Sequence, residues 1–225
     1  MKKEIVILSV GGSLIVPEEI DSDFLKRFKE LVLSFKDKRF AIICGGGKVC
    51  RKYQEAASKL ASLEKIDLDW IGIASTRLNA ELVKYVFKGN VHEKVIANPT
   101  EKINFNENVL VACGWEPGCS TDADAILLAK NLGIKKIVNL TNIDYVYNKD
   151  PKKFMDAVPI KEISWKDLRK ILPKDWSPGL NAPFDPIAAK QAESLGIEVA
   201  IINGKNLDNL KDYLENKEFV GTSIK

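Results

Sequence analysis

Short apolar runs alternate along the chain with longer segments in which apolar residues recur every three or four positions. The runs predict strands at residues 4–10, 40–44, 109–113, 136–140, 197–202 and 219–224. The longer segments predict helices, among them one that begins after Asp21 and ends near Phe35. Because strands and helices alternate, we expect an α/β fold, a three-layer α/β/α sandwich with a mostly parallel central sheet, in a single domain of residues 1–225.

Charge and hydropathy exclude several function classes. The 34 basic and 31 acidic residues give a net charge of +3, and the lysines are dispersed, so the chain lacks the basic stripe typical of nucleic-acid binding. The first apolar run is too short for a signal peptide, and no run is long enough to span a membrane. We therefore expect a cytoplasmic protein that binds neither nucleic acid nor membrane.

The cysteines and the single histidine indicate no metal site. Cys44 and Cys50 are separated by five residues, as are Cys113 and Cys119, whereas zinc sites usually use shorter gaps. We interpret these cysteines as small apolar fillers near strand ends, and a disulfide is disfavoured in a reducing compartment. His92 lies in a connector, where we expect an exposed or locally bonded side chain.

Two glycine turns follow two of the predicted strands. Gly11-Gly12-Ser13 follows the first, and Gly45-Gly46-Gly47-Lys48 follows the second. Glycines let a backbone turn sharply and approach a ligand closely, and the helix N-terminus behind such a turn favours an anion. Each turn alone is also compatible with a plain strand-to-helix bend. Together they predict two phosphate groups held near each other, with Arg51 in the first turn of the second helix as a binding residue.

Polar residues after the third strand predict a further part of a site. Thr121 and Asp124 have the spacing of a capping box at the start of a helix. Asp122 is not needed for that cap and lies at the carboxyl end of a strand, where open α/β sheets bind ligands. We therefore interpret Asp122 as functional. The polar groups of Ser75, Thr76, Arg77 and Asn79, in the middle of a predicted helix, indicate a contact surface or a pocket.

Other polar segments leave their roles open. Asp69 is either the N-cap of a helix or an acceptor for a sugar diol. Residues 141–151 alternate polar and aromatic side chains without a helical period, which is typical either of a loop that lines a pocket for a base and a sugar or of a surface turn. Asp185-Pro186 predicts a helix start, with Lys190 in the second turn. The Pro-, Gly- and Asn-rich residues 174–183 predict a mobile lid.

No Gly-x-x-x-x-Gly-Lys-Ser/Thr sequence occurs, and no Gly-x-Gly-x-x-Gly follows a strand. The motifs that are present instead resemble the amino acid kinase family, and within it the UMP kinases of the short archaeal type. They cover nearly the whole chain, in the family's order and spacing, and are Gly11-Gly12-Ser13, Gly45-Gly46-Gly47-Lys48 with Arg51, Asp69 before Ile71-Gly72-Ile73, Thr76-Arg77 with Asn79-Ala80, Pro117-Gly118 with Ser120-Thr121-Asp122, Thr141-Asn142-Ile143-Asp144 with Val146-Tyr147 and Asp150-Pro151, Asp185-Pro186-Ile187-Ala188-Ala189-Lys190, and Gly221-Thr222.

This resemblance implies a carbamate kinase-like fold that transfers the γ-phosphoryl group of ATP to UMP with Mg²⁺ in pyrimidine nucleotide synthesis. It also implies a homohexamer, a trimer of dimers, with a phosphate-acceptor lobe at about 1–132 and an ATP lobe at about 133–225. The residues implied to bind ATP are Ser9, Val10, Gly11, Gly12, Ser13, Gly47, Arg51, Thr141, Tyr147 and Asp150. Those implied to bind UMP are Gly46, Asp69, Trp115, Glu116, Pro117, Gly118, Cys119, Ser120 and Thr121.

The resemblance also implies roles in catalysis and shows two departures. Asp122 would orient cationic groups or Mg²⁺, Lys190 would balance charge on the moving phosphoryl group, and Gly12 and Ser13 would hold the donor phosphates. Many family members have a lysine at the position of Ser9, and we expect Lys190 rather than Lys48 to supply that charge. Trp115 departs from the family at a position facing UMP and leaves the preference between UMP and CMP open.

Other small-molecule kinases and a non-catalytic relative remain as alternative functions at the level of the sequence. Isopentenyl phosphate kinases resemble this chain but typically carry a histidine near the position of Arg51. Carbamate and acetylglutamate kinase activities are less favoured, because Asp69 and residues 141–150 suit a nucleotide better than those substrates. A non-catalytic nucleotide sensor or oxyanion-storing relative on the same fold would explain why Ser9 replaces the lysine of many family members.

Overall fold

A computed structural model describes residues 3–173 and 182–225. Within these residues the strands are β1 (Glu4–Val10), β2 (Lys38–Cys44), β3 (Val109–Ala112), β4 (Lys136–Thr141), β5 (Val146–Tyr147), β6 (Pro159–Ile160), β7 (Glu162–Ile163), β8 (Glu198–Asn203) and β9 (Thr222–Ile224). The helices are α1 (Gly12–Ile15), α2 (Ser22–Ser34), α3 (Gly47–Leu60), α4 (Lys65–Val86), α5 (Thr121–Leu132), α6 (Trp165–Ile171), α7 (Pro186–Leu195) and α8 (Leu207–Leu214).

The central sheet has the strand order β3-β2-β1-β4-β8-β9-β7 in the described part of the chain. Pairing is parallel from β3 across to β8, β9 runs antiparallel to β8, and β7 pairs with β9 in parallel. The predicted mostly parallel sheet is therefore confirmed. The strands before residue 132 form one half of the sheet, and those after it form the other.

Both faces of the sheet are buried, because neighbouring residues of each strand pack into different cores. Leu8 and Val10 of β1 belong to the core under α2, α4 and α8, whereas Ile7 belongs to the core under α5, α6 and α7. Ala41 and the other apolar residues of β2 divide between the faces in the same alternating way. The result is the predicted α/β/α sandwich.

Helix ends follow the sequence signals in most places. Asp21 accepts a hydrogen bond from the Phe24 N–H, and Asp185 accepts from Ile187 and Ala188, as predicted for N-caps. The predicted cap of α5 is wrong: Ser120, not Thr121, is the N-cap, and its Oγ accepts from the Ala123 N–H. Serine and threonine hydroxyls both accept from a backbone N–H three residues further on, so the capping pattern in the sequence placed the helix start one residue too late.

The fourth helix begins earlier than predicted. Glu64 is the N-cap, and Glu64 and Asp67 form a reciprocal capping box before α4. Asp69 therefore lies inside the helix, which removes the N-cap alternative for this residue and leaves its carboxylate free for another role.

Three further segments differ from the expectation or lie outside it. Residues 146–147, predicted as loop, form β5 and pair antiparallel with β6. The last strand covers only 222–224, because the Val220 N–H and C=O bond the Asn209 side chain instead of a strand. Of the predicted lid, residues 174–181 lie outside the described residues.

No described helix is long and apolar enough to cross a membrane. Among residues 3–173 and 182–225, no cluster of three or more His, Cys, Asp or Glu side chains has the arrangement of a metal site.

Candidate active site

The two glycine turns lie directly against each other. Their strands β1 and β2 are parallel neighbours in register, and the Gly45 N–H donates to the Val10 carbonyl at 2.9 Å. A Cβ on Gly12 would lie 2.6 Å from the Gly45 carbonyl oxygen and closer still to the Gly47 nitrogen. Gly47 also has a φ of +66°, which side chains rarely adopt. The predicted proximity of the two turns is confirmed, and they touch with no gap between them, whereas the two phosphate groups that they are predicted to hold stay a prediction.

A cavity of about 260 Å³ lies beside the second glycine turn. The N-termini of three helices converge on it: Gly46 and Gly47 of α3, Ser120 and Thr121 of α5, and Asp185 of α7. Each helix N-terminus carries partial positive charge from unpaired backbone N–H groups. Three such ends around one cavity make it favourable for an anion.

The N-terminus of α3 is the least compensated of the three. Its N-cap, Gly46, provides no side-chain hydrogen bond, and the first turn contains no acidic residue. Arg51, one turn further on, lines the cavity. Lys48 points elsewhere and pairs with Glu18. The backbone end of α3 and the Arg51 guanidinium therefore form a positive region at one side of the cavity.

Asp122 lies at another side of the cavity, held by two donors. Its Oδ1 accepts from the Asn139 Nδ2 at 3.1 Å, and its Oδ2 accepts from the Asp185 N–H at 3.1 Å. Enclosure of the carboxyl group by protein atoms, together with the Asp185 charge, raises its pKa to about 7 against the lowering effect of these two bonds. A carboxylate held this way is poised to accept a cationic partner when one enters the cavity.

The loop between β3 and α5 forms a further wall and is held from two helices. Thr76 of α4 accepts from the Gly114 N–H at 2.9 Å, and Asp69 of α4 accepts from the Gly118 N–H at 2.9 Å. Asp124 of α5 accepts from the Trp115 N–H at 3.2 Å. Of the two alternatives predicted for residues 75–79, a contact surface or a pocket, the structure favours the pocket at Thr76, which lines the cavity. Asn79 holds the glycine turn through the Gly45 and Gly46 carbonyls.

The structure collects most of the predicted UMP residues in this cavity. Of that set, the lining residues are Gly46, Asp69, Cys119, Ser120 and Thr121. Trp115 through Gly118 belong to the supporting loop, and within the described residues they are not part of the cavity lining. Gly47 and Arg51, predicted with the ATP set, line the same cavity as the UMP set.

Of the remaining predicted ATP residues, those that follow β1 and end β4 lie at adjacent strand ends, because β1 and β4 are paired. Ser9 and Val10 end β1, Gly11 to Ser13 follow it, and Thr141 ends β4; the Gly11 N–H donates to the Leu140 carbonyl at 2.9 Å. Tyr147 lies in β5, and Asp150 follows it in a turn. Lys190 is exposed on α7 and does not line the cavity in the described part of the chain. The roles of these residues stay predictions.

Sequence reasoning missed Asn139 and gave Asp124 only a capping role. Asn139 is buried in β4 between apolar neighbours and holds Asp122. An amide inside an otherwise apolar strand was the available signal, because buried polar groups need a partner. For Asp124 no such signal exists, since an acid in the first turns of a helix is ordinary.

The comparisons with known proteins agree with one another. The profile of the amino acid kinase family matches residues 4–203. The chain is 35% identical over 223 residues to a uridylate kinase of Pyrococcus abyssi, covering 97% of this chain and 98% of that protein. It is 34% identical over 224 residues to a uridylate kinase of Thermoplasma volcanium, covering 98% and 97%. The crystal structure of uridylate kinase from Archaeoglobus fulgidus superposes with a TM-score of 0.83 at 32% identity, covering 99% of this chain and all of that one.

Proposed function

The chain belongs to the amino acid kinase family, and from this membership we propose that it transfers the γ-phosphoryl group of ATP to UMP, giving ADP and UDP. The curated relatives named above are uridylate kinases, and their similarity to this chain extends over nearly its full length. ATP is the phosphate donor that the kinase family implies.

The observation that carries this proposal is the convergence of three helix N-termini on one cavity with Arg51 and Asp122 in its walls. Such a cavity accepts a phosphate at the α3 end. Asp69 also lines this cavity, and one of its oxygens accepts from the Gly118 N–H, which leaves its other oxygen for the ribose hydroxyls of UMP. We assign the half of the sheet before residue 132 to the acceptor and the half after it to ATP.

The chemistry needs positioning and charge neutralisation rather than a covalent intermediate. An ionised phosphate of UMP is already a nucleophile, so a strong base is unnecessary. Backbone N–H groups at the two adjacent glycine turns hold donor and acceptor phosphates close to in-line geometry. Lys190 is our candidate for the cation that replaces the family lysine at Ser9; it has to approach the phosphates when both nucleotides are bound.

Mg²⁺ is the proposed metal, and the acidic residues of the site fit it. Mg²⁺ is usually held by one or two carboxylates together with substrate phosphates, rather than by a complete protein cage. Asp122 and Asp185 are adjacent through the 3.1 Å bond between the Asp185 N–H and the Asp122 carboxylate, and neither forms an ion pair among the described residues. Asp122 would hold the ion, which would neutralise charge on the transferred group. Asp185 would remain mainly a helix cap.

A coupled ADP-release assay with UMP, CMP, isopentenyl phosphate and carbamate tests the proposed function. We expect UMP to give the highest kcat/KM, because the Asp69 carboxylate and the cavity suit a ribose phosphate. Faster turnover with isopentenyl phosphate or carbamate would contradict the assignment. ATP binding without stimulation by any acceptor would favour a nucleotide sensor instead.

Replacing Arg51 with alanine should raise the KM for UMP by about tenfold or more, because a charge-assisted contact to phosphate is lost. Arg51 is exposed and its side chain makes no ion pair in the described residues, so folding should be unaffected. Lys52→Ala, one residue along the same exposed helix, is the matched control. Steady-state kinetics with both substrates checks this, and unchanged KM values for both UMP and ATP would remove Arg51 from the site.

We also propose a cytoplasmic homohexamer, a trimer of dimers. Support comes from the hairpin of α3 and α4, in which α3 has no buried residue. The apolar side chains of Tyr53, Leu60, Ile66 and Trp70 are exposed on this hairpin. Exposed apolar groups in this number are typical of a surface that another subunit covers. Light scattering should give the mass of six chains, and the mass of one chain would contradict the assembly.

A further inference from the structure

The backbone between Gly114 and Gly118 is anchored at three N–H groups by side chains of two helices. Thr76 and Asp69 of α4 hold Gly114 and Gly118, and Asp124 of α5 holds Trp115. This segment continues directly into Cys119, Ser120 and Thr121, which line the cavity. The three anchors therefore determine where that wall of the cavity lies.

Asp124 is an unusual choice for such an anchor because it is buried. Its exposed fraction is only 1%, and its Oδ1 is buried without a hydrogen-bond partner in the described residues. The nearby charges of Glu116 and Asp122 have the same sign as its own. A carboxyl group in these surroundings costs stability. A buried polar group that is incompletely satisfied calls for an explanation other than stability.

The position of Asp124 in α5 explains how it reaches the loop. It is the fourth residue of the helix, and helical side chains point back towards the N-terminus. The carboxylate consequently lies beneath the loop that precedes the helix and meets the Trp115 N–H at 3.2 Å. At the other end of the same loop, the Gly118 N–H donates to the Asp69 carboxylate of α4. The loop is thus held at both ends by helices that each contribute residues to the cavity lining.

We propose that Asp124 is a positioning residue for the acceptor nucleotide: by holding the Trp115 N–H, it keeps Cys119, Ser120 and Thr121 against the bound UMP. This inference rests on the proposed function, and it concerns the acceptor alone. The residues predicted to bind ATP lie mainly at the ends of β1 and β4, which Asp124 does not contact through any described hydrogen bond.

The test compares Asp124→Ala with Asp124→Asn in the full chain. Alanine cannot accept the Trp115 N–H, so the KM for UMP should rise by about tenfold or more while the KM for ATP changes by less than about twofold. Asparagine retains an oxygen at the same place and should stay within about threefold of the wild type. Backbone hydrogen exchange should accelerate in residues 114–120 of the alanine variant and remain unchanged in β1 and β2.

Two results would overturn the proposal. One is an alanine variant whose KM for UMP and whose exchange in residues 114–120 both match the wild type. The other is a parallel rise of both KM values with faster exchange throughout the chain, which a merely structural role would give. If the alanine variant does not fold, Asp124→Ser replaces it, since serine is polar but too short to reach Trp115.

Calorimetric binding of UMP separates this inference from the proposed function. If the wild type binds UMP without transferring phosphate, the proposed function fails, whereas weaker UMP binding by Asp124→Ala still supports the positioning role. If the wild type is active and the alanine and asparagine variants both bind UMP as tightly as the wild type does, the positioning role fails and the proposed function stands.

Discussion

Replacing Asp122 with asparagine is expected to lower kcat by about two to three decades, the usual scale for removing one electrostatic group from a transition state. The substitution keeps the shape of the side chain but removes the charge that would hold Mg²⁺ or orient a cation. The Asn139 amide and the Asp185 N–H then face a neutral group that can accept from only one of them through oxygen. Steady-state kinetics at saturating ATP and UMP measures the loss.

Asp167→Asn is the matched control for this change. Asp167 also lies in the first turn of a helix, α6, but it is exposed and bonds Ser164 and Lys170. We expect near-wild-type kcat for this variant. A near-normal kcat for Asp122→Asn as well would remove Asp122 from the mechanism, whatever its effect on stability.

Replacing Gly12 with alanine should destabilise the fold by about 3 kcal/mol or more, an effect at the upper end of overpacking. The added Cβ would overlap the backbone of Gly45 and Gly47, and the backbone of turns that follow two paired strands cannot move aside as a side chain can. Any variant that still folds would have separated glycine turns and should lose activity. Chemical denaturation with wild-type protein alongside measures the loss.

Gly72→Ala provides the contrasting control. A Cβ at Gly72 would meet only side-chain atoms of Gln54 and Cys50, at 3.5 and 3.6 Å. Gly72 lies inside α4, where alanine is favoured over glycine by up to about 1 kcal/mol, so stability should hold or rise. Equal stability of Gly12→Ala and wild type would contradict the close packing of the two turns.

The sequence was sufficient for most of the fold because its signals were local. Apolar runs gave the positions of the long strands, and Asp21 and Asp185 marked helix starts through their own hydrogen bonds. The two-residue strand β5 could not be found in this way. It owes its existence to pairing with β6, and the Val146 N–H is held by Thr222, 76 residues away.

The candidate site was predictable to the extent that its residues follow strand ends. Gly46 and Asp122 were found because parallel strands bring their carboxyl ends to one edge of the sheet. Asn139 acts on the site through Asp122, a contact that depends on how α5 lies on β4. Asp124 acts through Trp115, a contact that depends on how the preceding loop folds back over α5. Side-chain partners across elements of this kind leave no periodic trace in the sequence.

A crystal structure with UMP and a non-hydrolysable ATP analogue tests the central claim most directly. We predict that the UMP phosphate lies at the α3 N-terminus within hydrogen-bond distance of Gly47 and Arg51, with the γ-phosphate of the analogue beside Gly12 and Asp122. UMP bound away from the cavity between α3, α5 and α7, or an analogue whose γ-phosphate lies far from the two glycine turns, would contradict the account.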